Sequence, residues 1–417
     1  MSQSKSQELK DFSVDEDSVK ARIVEEVPFQ QVNDILEGKL ERKEVDRRKV
    51  VEDVEEYDNK VISGGGKRFR VAVPYLMAKG LETGFEDSQI IESVTPVEML
   101  HGLSLILDDV MDEDEMRRGM QTPHERLKEQ GFTGKQAESI ATLDVMQLQS
   151  MAQNTPFDMD YLSESQQIEV SEALNDALIQ LTRGQMLDVT GEEASDERFR
   201  EKLSYEGEEF QYESFYDDVV RGKTTPLFRA GPEILEIITG EDLSGLKNYA
   251  EDMGKAFQIR DDVLDISAGE EEISISESPE EEGIGKDRYS DISEGTLTLP
   301  INYAFEMMDD EGWGEMDDYI EELAALDNFL GSREDFYRIH GDRRNFLETV
   351  MEKEEPESYE LQVAGKIIED TGALERANQE ALDYAESAVK NLDESEVSRE
   401  YEELLGDMAY FAATRSK

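Results

Sequence analysis

The sequence predicts an all-α protein, and three observations carry that expectation. From about residue 21 onward apolar residues recur at intervals of three and four, the helical period, and few stretches alternate as strands do. Proline is scarce, 10 in 417 residues, and Pro156, Pro226 and Pro300 fall near the ends of the periodic segments. No repeat of the solenoid type interrupts the pattern.

Residues 1–20 read as a disordered polar lead. Helices are then expected over 31–60, 68–80 and 88–112. The segments 135–152, 165–190, 201–220 and 245–267 follow with the same spacing. The last candidates are 296–309, 360–391 and 396–413. Two stretches look inserted: the acidic, Ser-rich loop 267–283, too charged to pack, and 310–356, a mixed segment with Trp313 that reads as a small helical appendage. The remainder, 21–417, reads as a single all-α domain.

Composition narrows the function. Lys and Arg total 43 against 101 Asp and Glu, a formal net charge of −58. Acids run through the whole chain, as on a surface kept hydrated in concentrated salt, which points to a salt-rich cytoplasm. Such a balance argues against nucleic acid and against anionic lipid, since both select basic patches. There is no cysteine, so disulfides, thiolate zinc sites and cysteine nucleophiles are excluded. Only three histidines are present, His101, His124 and His340, leaving an oxygen-bound cation such as magnesium as the metal to expect. The polar N-terminal segment lacks a signal-peptide core, and no apolar run is expected to reach the ~20 residues of a membrane span.

The most informative feature is a pair of acidic pentads, Asp108-Asp109-Val110-Met111-Asp112 and Asp261-Asp262-Val263-Leu264-Asp265. Residues four apart share a helix face, so Asp108 with Asp112, and Asp261 with Asp265, point the same way. The first pentad ends a polar stripe of Glu98, His101, Ser104, Asp108 and Asp112 inside an apolar helix. The second ends a stripe of Gly254, Gln258, Asp261 and Asp265. Either alone reads as a solvated helix end in so acidic a chain. Two together, both set in apolar sequence, need compensating positive charge.

The scarce cations cluster where that charge is needed. Lys67, Arg68 and Arg70 follow three glycines in "SGGGKRFR"; Arg117 and Arg118 follow the first pentad; Arg221 and Lys223 lie in "VRGKTTP"; Arg260 touches the second pentad; Lys286 and Arg288 follow the acidic loop. Cations beside metal-binding carboxylates suit a polyphosphate substrate. Gly222-Lys223-Thr224 is not a nucleotide P-loop, because Asp217 stands where that loop needs glycine and no strand precedes it.

In order, "GGGKRFR", "DDVMDEDEMRRG", "GQMLD", "GKTTPLF", "FQIRDDVLD" and "GKDRYSDISEGTLTLP" resemble the motif set of the trans-isoprenyl (polyprenyl) diphosphate synthases. The likeness runs from about residue 30 to 414 and extends to one from a halophile making geranylgeranyl or longer chains. It implies an isoprenoid-synthase-type helical bundle around a deep central cavity, a homodimer, and condensation of isopentenyl diphosphate with an allylic diphosphate. By motif, Lys67, Arg70, His101 and Arg118 would hold isopentenyl diphosphate. Asp108, Asp109 and Asp112, faced by Asp261, Asp262 and Asp265 and supported by Asp188, would bind magnesium, three ions per site. Arg117, Lys223, Lys286 and Gln258 would contact the allylic substrate, with Thr224 and Gln258 offering oxygens to the cation it becomes.

The chain departs from the pattern at Thr296, where the family usually has lysine, and at Leu107 and Leu143, where it often has His and Gly. The residues five and four before Asp108 are Leu103 and Ser104, with Leu100 and Val97 deeper; no ring among them would stop a growing chain at farnesyl length. Two alternatives stay open: a class I terpenoid cyclase, which would lack the "GGGKRFR" site, and a non-catalytic partner subunit of a heteromeric synthase, which Thr296 alone favours.

Overall fold

A computed structural model describes residues 15–40, 68–117, 120–191, 211–267, 288–311, 342–353, 356–393 and 395–416. Helix α1 (Glu16–Glu26) starts inside the expected disordered lead. The reason is local: Asp15 accepts the Ser18 N–H at 3.4 Å as a cap, and Val19 and Ile23 form a buried stripe. Helix α2 (Phe29–Leu40) buries Val32, Leu36 and Leu40; the remainder of the expected 31–60 helix lies outside the described residues. Helix α3 (Phe69–Gly80) is buried almost throughout.

Helix α4 (Asp87–Met111) corrects one expectation, because it is long and apolar enough to cross a membrane by length and composition. Its most apolar window is 72% buried inside the protein, where α2, α3, α6 (Gly134–Asn154) and α9 (Thr225–Thr239) pack round it. Its apolarity serves the core. After α4 a two-residue antiparallel hairpin, β1 (Met116–Arg117) and β2 (Met120–Gln121), leads into α5 (Pro123–Glu129). Neither is long enough to show a period in sequence.

Helix α6 opens with a capping box between Thr133 and Gln136. Helices α7 (Glu164–Gly191) and α8 (Tyr212–Lys223) follow, and α9, absent from the sequence expectation, carries Pro226 in its first turn and Pro232 inside. Pro226 sits where a helix tolerates it best, since N–H groups of the first turn have no partner anyway. Helix α10 (Ser244–Ile266) carries the second pentad; a short turn, α11 (Ser290–Ser293), and α12 (Leu299–Glu311) come next.

Helix α13 (Arg343–Met351) lies within the stretch expected to be an inserted appendage, yet it buries Phe346, Leu347 and Val350, so this part belongs to the core. Residues 312–341, with Trp313, and 268–287 of the acidic loop lie outside the described residues. The single helix expected over 360–391 divides into α14 (Ser358–Asp370) and α15 (Ala373–Leu392) at Gly372, whose φ of +81° suits glycine. Helix α16 (Arg399–Thr414) completes the bundle.

Most buried apolar residues form one cluster, with α10 packed by α9, α15 and α16. One contact fixes the site. A Cβ on Gly184 would come within 2.1 Å of the Gly222 backbone, and one on Gly222 within 2.4 Å of Gly184 Cα. Thus α7 and α8 touch backbone to backbone, which only glycine permits. Asp188, one turn past Gly184, is thereby brought onto Lys223, next to Gly222.

Candidate active site

A cavity opens where the ends of α4, α7, α8 and α10 meet the segment 291–298. Asp112, Asp188, Lys223, Thr224, Gln258, Asp262, Asp291, Glu294, Thr296 and Thr298 line it with polar groups. Tyr212, Phe215, Tyr216, Val219, Val220 and Leu297 form its apolar side.

The first pentad divides its labour. Asp109 is fully buried and takes an ion pair from Arg117 Nε, which ties the hairpin to the end of α4. Arg117, expected at the allylic substrate, is therefore held on Asp109. Asp108 is pushed up to about 6 by burial, with Asp112 and Asp188 adding to the effect and Lys223 and Arg117 opposing it. Asp112 stands at the exposed mouth. Burial alone would weaken the hold of Lys223 on its proton, but Asp188, Asp108 and Asp112 keep it above the usual lysine range.

The second pentad is arranged the other way. The stripe facing the cavity is Gln258 and Asp262, not the expected Gly254, Gln258, Asp261 and Asp265. Asp262 is 5% exposed; Tyr216 Oη donates to one oxygen at 2.6 Å and Gln258 Nε2 to the other at 2.9 Å. Thr224 Oγ1 in turn donates to Gln258 Oε1 at 2.5 Å. Burial raises the Asp262 carboxyl, against the pull of those two hydrogen bonds. Asp261 is drawn aside by the buried guanidinium of Arg415. Asp265 accepts the Ser290 hydroxyl at 2.6 Å and the N–H groups of Ser290 at 3.0 Å and Asp291 at 3.2 Å, fastening α11 to α10. Gly254 has Phe228 against it, where a Cβ would meet the ring at 3.2 Å.

The remaining expected residues scatter. Arg70 is half-buried, its guanidinium over the Phe228 ring at 4.7 Å. His101 is half-buried two turns before Asp108, and Glu98 of the same stripe pairs with Arg68 at 2.7 Å. Leu100 and Val97 are fully buried and do not line the cavity. Lys67, Arg118 and Lys286 lie outside the described residues.

Sequence reasoning missed Asp291 and Glu294. The carboxyl of Asp291 is raised by burial and by Asp265, Asp262 and Glu294; that of Glu294 is pushed up to about 7 by partial burial and by Asp112, Asp114 and Asp265. Both stand in the quoted "GKDRYSDISEGTLTLP", but their spacing of three lacked the doubled aspartates that flagged the pentads. Among the described residues no group of three His, Asp or Glu closes tightly enough to hold a metal alone. Scattered hard-oxygen donors round one cavity do fit magnesium, which takes one or two carboxylates and completes its shell with phosphate and water.

The polyprenyl synthetase family model matches residues 51–326. The chain belongs to that family. It is a prenyltransferase with the family's all-α fold. It is 29% identical over 336 residues to a geranylgeranyl pyrophosphate synthase of Geoglobus acetivorans, covering 80% of this chain and 82% of that one. To a geranylfarnesyl diphosphate synthase of Natronomonas pharaonis it is 25% identical over 373 residues, covering 85% and 88%. In structure it is similar to geranylgeranyl pyrophosphate synthase from Corynebacterium glutamicum complexed with isoprenyl diphosphate and magnesium, with a TM-score of 0.71, 21% identity, and 94% and 99% of the two chains covered. That last likeness concerns the fold.

Proposed function

We propose that this prenyltransferase joins isopentenyl diphosphate head to tail to an allylic diphosphate, releasing diphosphate and giving a trans-polyprenyl diphosphate of geranylgeranyl length or longer. The observation that carries the reading is the cavity in which carboxylates of α4, α7, α10 and α11 face Lys223 beside an apolar wall. Three magnesium ions per site, held by Asp108, Asp112, Asp188 and Asp262, would supply Lewis-acid neutralisation of the leaving diphosphate.

The chain's own groups do the rest. Lys223 adds a fixed positive charge where negative charge develops as the carbon–oxygen bond breaks. Thr224 and Gln258 hold Asp262 in place and put oxygens beside the carbon left electron-poor. Phe215, Val219, Val220 and Leu297 keep water from it. The isopentenyl double bond then forms the new carbon–carbon bond, and the released diphosphate takes the proton lost in forming the product double bond. Arg70 and His101, with Lys67 and Arg118, hold isopentenyl diphosphate; Arg117 and Lys286 belong to the allylic side.

The reading extends to a cytoplasmic homodimer. Leu143 and Met146 on α6 and Ile179 and Met186 on α7 are each about half exposed or more, an apolar face that a second copy would cover. The charge of −58 suits a salt-rich interior. The test is incubation with magnesium, high salt, labelled isopentenyl diphosphate and allylic primers of increasing length. Extractable label in products of geranylgeranyl length or longer is expected. No incorporation with any primer refutes the activity.

A further inference from the structure

Two guanidinium groups, Arg415 buried and Arg70 half-buried, lie within reach of the Asp261 charge, and both have donors to spare. Arg415, just after α16, is 3% exposed, sits over the Phe257 ring at 4.1 Å, and pairs through one terminal nitrogen with Asp261. Arg70 sits over Phe228 at 4.7 Å, and the Phe228 and Phe257 rings are 5.7 Å apart. The Nε of each guanidinium is buried without an acceptor. Asp261 is the one carboxylate whose field reaches Arg70 and whose oxygen binds Arg415; Glu98, the other acid near Arg70, is already paired with Arg68. A buried donor nitrogen left without an acceptor is costly, so the pair lacks an anion.

The same pair decides where Asp261 points. It neighbours Asp262 on α10, but while Arg415 holds it aside it does not line the cavity. The backbone at Arg415 is anchored independently of the side chain: Arg260 Nε donates to the Arg415 carbonyl at 2.7 Å, and Ser416 N–H donates to Glu16 at 2.8 Å. The guanidinium can therefore change partner while its chain stays fixed.

We propose that Arg415 is a switch between the two halves of the site, an inference that rests on the function proposed above. In the free chain it occupies Asp261. A diphosphate oxyanion settling at Arg70 takes up the spare donors of both guanidiniums and draws Arg415 away, releasing Asp261 to join the carboxylates that hold the metal. Binding of isopentenyl diphosphate and of divalent cation are then coupled, and by linkage each tightens the other.

The test measures Mn2+ binding to the full chain by electron paramagnetic resonance, with and without isopentenyl diphosphate and with no allylic primer. In the unaltered chain isopentenyl diphosphate should tighten Mn2+ binding about tenfold. In Arg415→Gln, Mn2+ should bind at the tighter level from the start, and the coupling should fall to near onefold. Arg415→Lys, which keeps the charge and guards against a misfolded variant, should retain coupling in weakened form. Equal coupling in the Gln variant and the unaltered chain, or none in the unaltered chain, overturns the switch. Turnover with an allylic primer, measured on the same unaltered preparation, separates the two failures: turnover without coupling sinks only the switch, and absent turnover sinks the reaction assigned above.

Discussion

The two pentads have the same spacing and are used in opposite ways. On α4 the middle aspartate, Asp109, is locked in a buried ion pair, while Asp112 lines the cavity and Asp108 is half-buried within the field of Lys223. On α10 the middle aspartate, Asp262, faces the cavity, while Asp261 and Asp265 are bound by Arg415 and by α11. Spacing on a helix settles which residues share a face. Which face turns inward is settled by partners far away in sequence, here Arg117 for one wall and Tyr216, Ser290 and Arg415 for the other.

The sharpest way to break this contrast is to exchange the two middle aspartates for asparagine. Asp262→Asn should lower kcat/KM by about 10²–10³-fold, the scale for removing one charged group from a preorganised site. Its thermal midpoint without metal should hold or rise, because a buried carboxylate with a raised proton affinity loses its charge. Asp109→Asn should instead lower stability by about 3 kcal/mol, since it strands Arg117. Steady-state kinetics and thermal melts of both variants check this. Equal loss of stability in the two would remove the distinction between the walls.

The walls also differ from ordinary surface acids in their response to pH. The Asp108 carboxyl stands at about 6 in the folded chain, above its unfolded value, and Asp262 is raised in the same direction. A group of that kind makes the folded chain bind more protons than the unfolded one. Metal-free stability should therefore fall as pH rises from about 4 through about 6, by up to about 3 kcal/mol for Asp108. Magnesium, which favours the ionised form, should flatten the slope. Denaturation midpoints at several pH values, with magnesium and with chelator, read this out. A slope unaltered in Asp108→Asn would show that it arises elsewhere.

What was legible in the sequence follows from the range of the interactions involved. The periodic helices were visible because their apolar stripes are local, and the pentads because two local patterns matched. Helix α9 was hidden by Pro226 and Pro232, and α5 by its seven residues. The shift of the inward face on α10 by one residue was not readable, because Arg415 is 154 residues from Asp261 and Tyr216 is 46 from Asp262. Gly184 and Gly222 were quoted within motifs, but that they meet backbone to backbone is a tertiary fact.

A smaller effect is expected from Tyr216→Phe. Its hydroxyl is one of two donors to Asp262, and removing a neighbour that orients a metal-binding carboxylate typically costs 10–100-fold in metal affinity or activity. A fall of about tenfold is expected here, since Gln258 still holds the other oxygen. The loss should lie in kcat and in the magnesium requirement, with KM for isopentenyl diphosphate unchanged. Full activity at unchanged magnesium demand would mean that the second wall needs no such support.

The smallest change should come from Thr296→Lys. Thr296 lines the cavity between Glu294 and Thr298, on the side where Asp262, Asp291 and Glu294 outnumber the cations. Lysine there would give the second wall a fixed positive charge like the one Lys223 brings to the first. If shortage of cation on that side limits binding of the allylic diphosphate, KM for it should fall a few-fold at low salt, and less at high salt, where screening weakens an exposed charge. The kcat value should stay within about twofold, because the added charge would hold substrate and transition state alike. A rise in KM would show instead that the acidic side of the cavity is used as it stands, with its carboxylates committed to metal and no room for a competing ammonium.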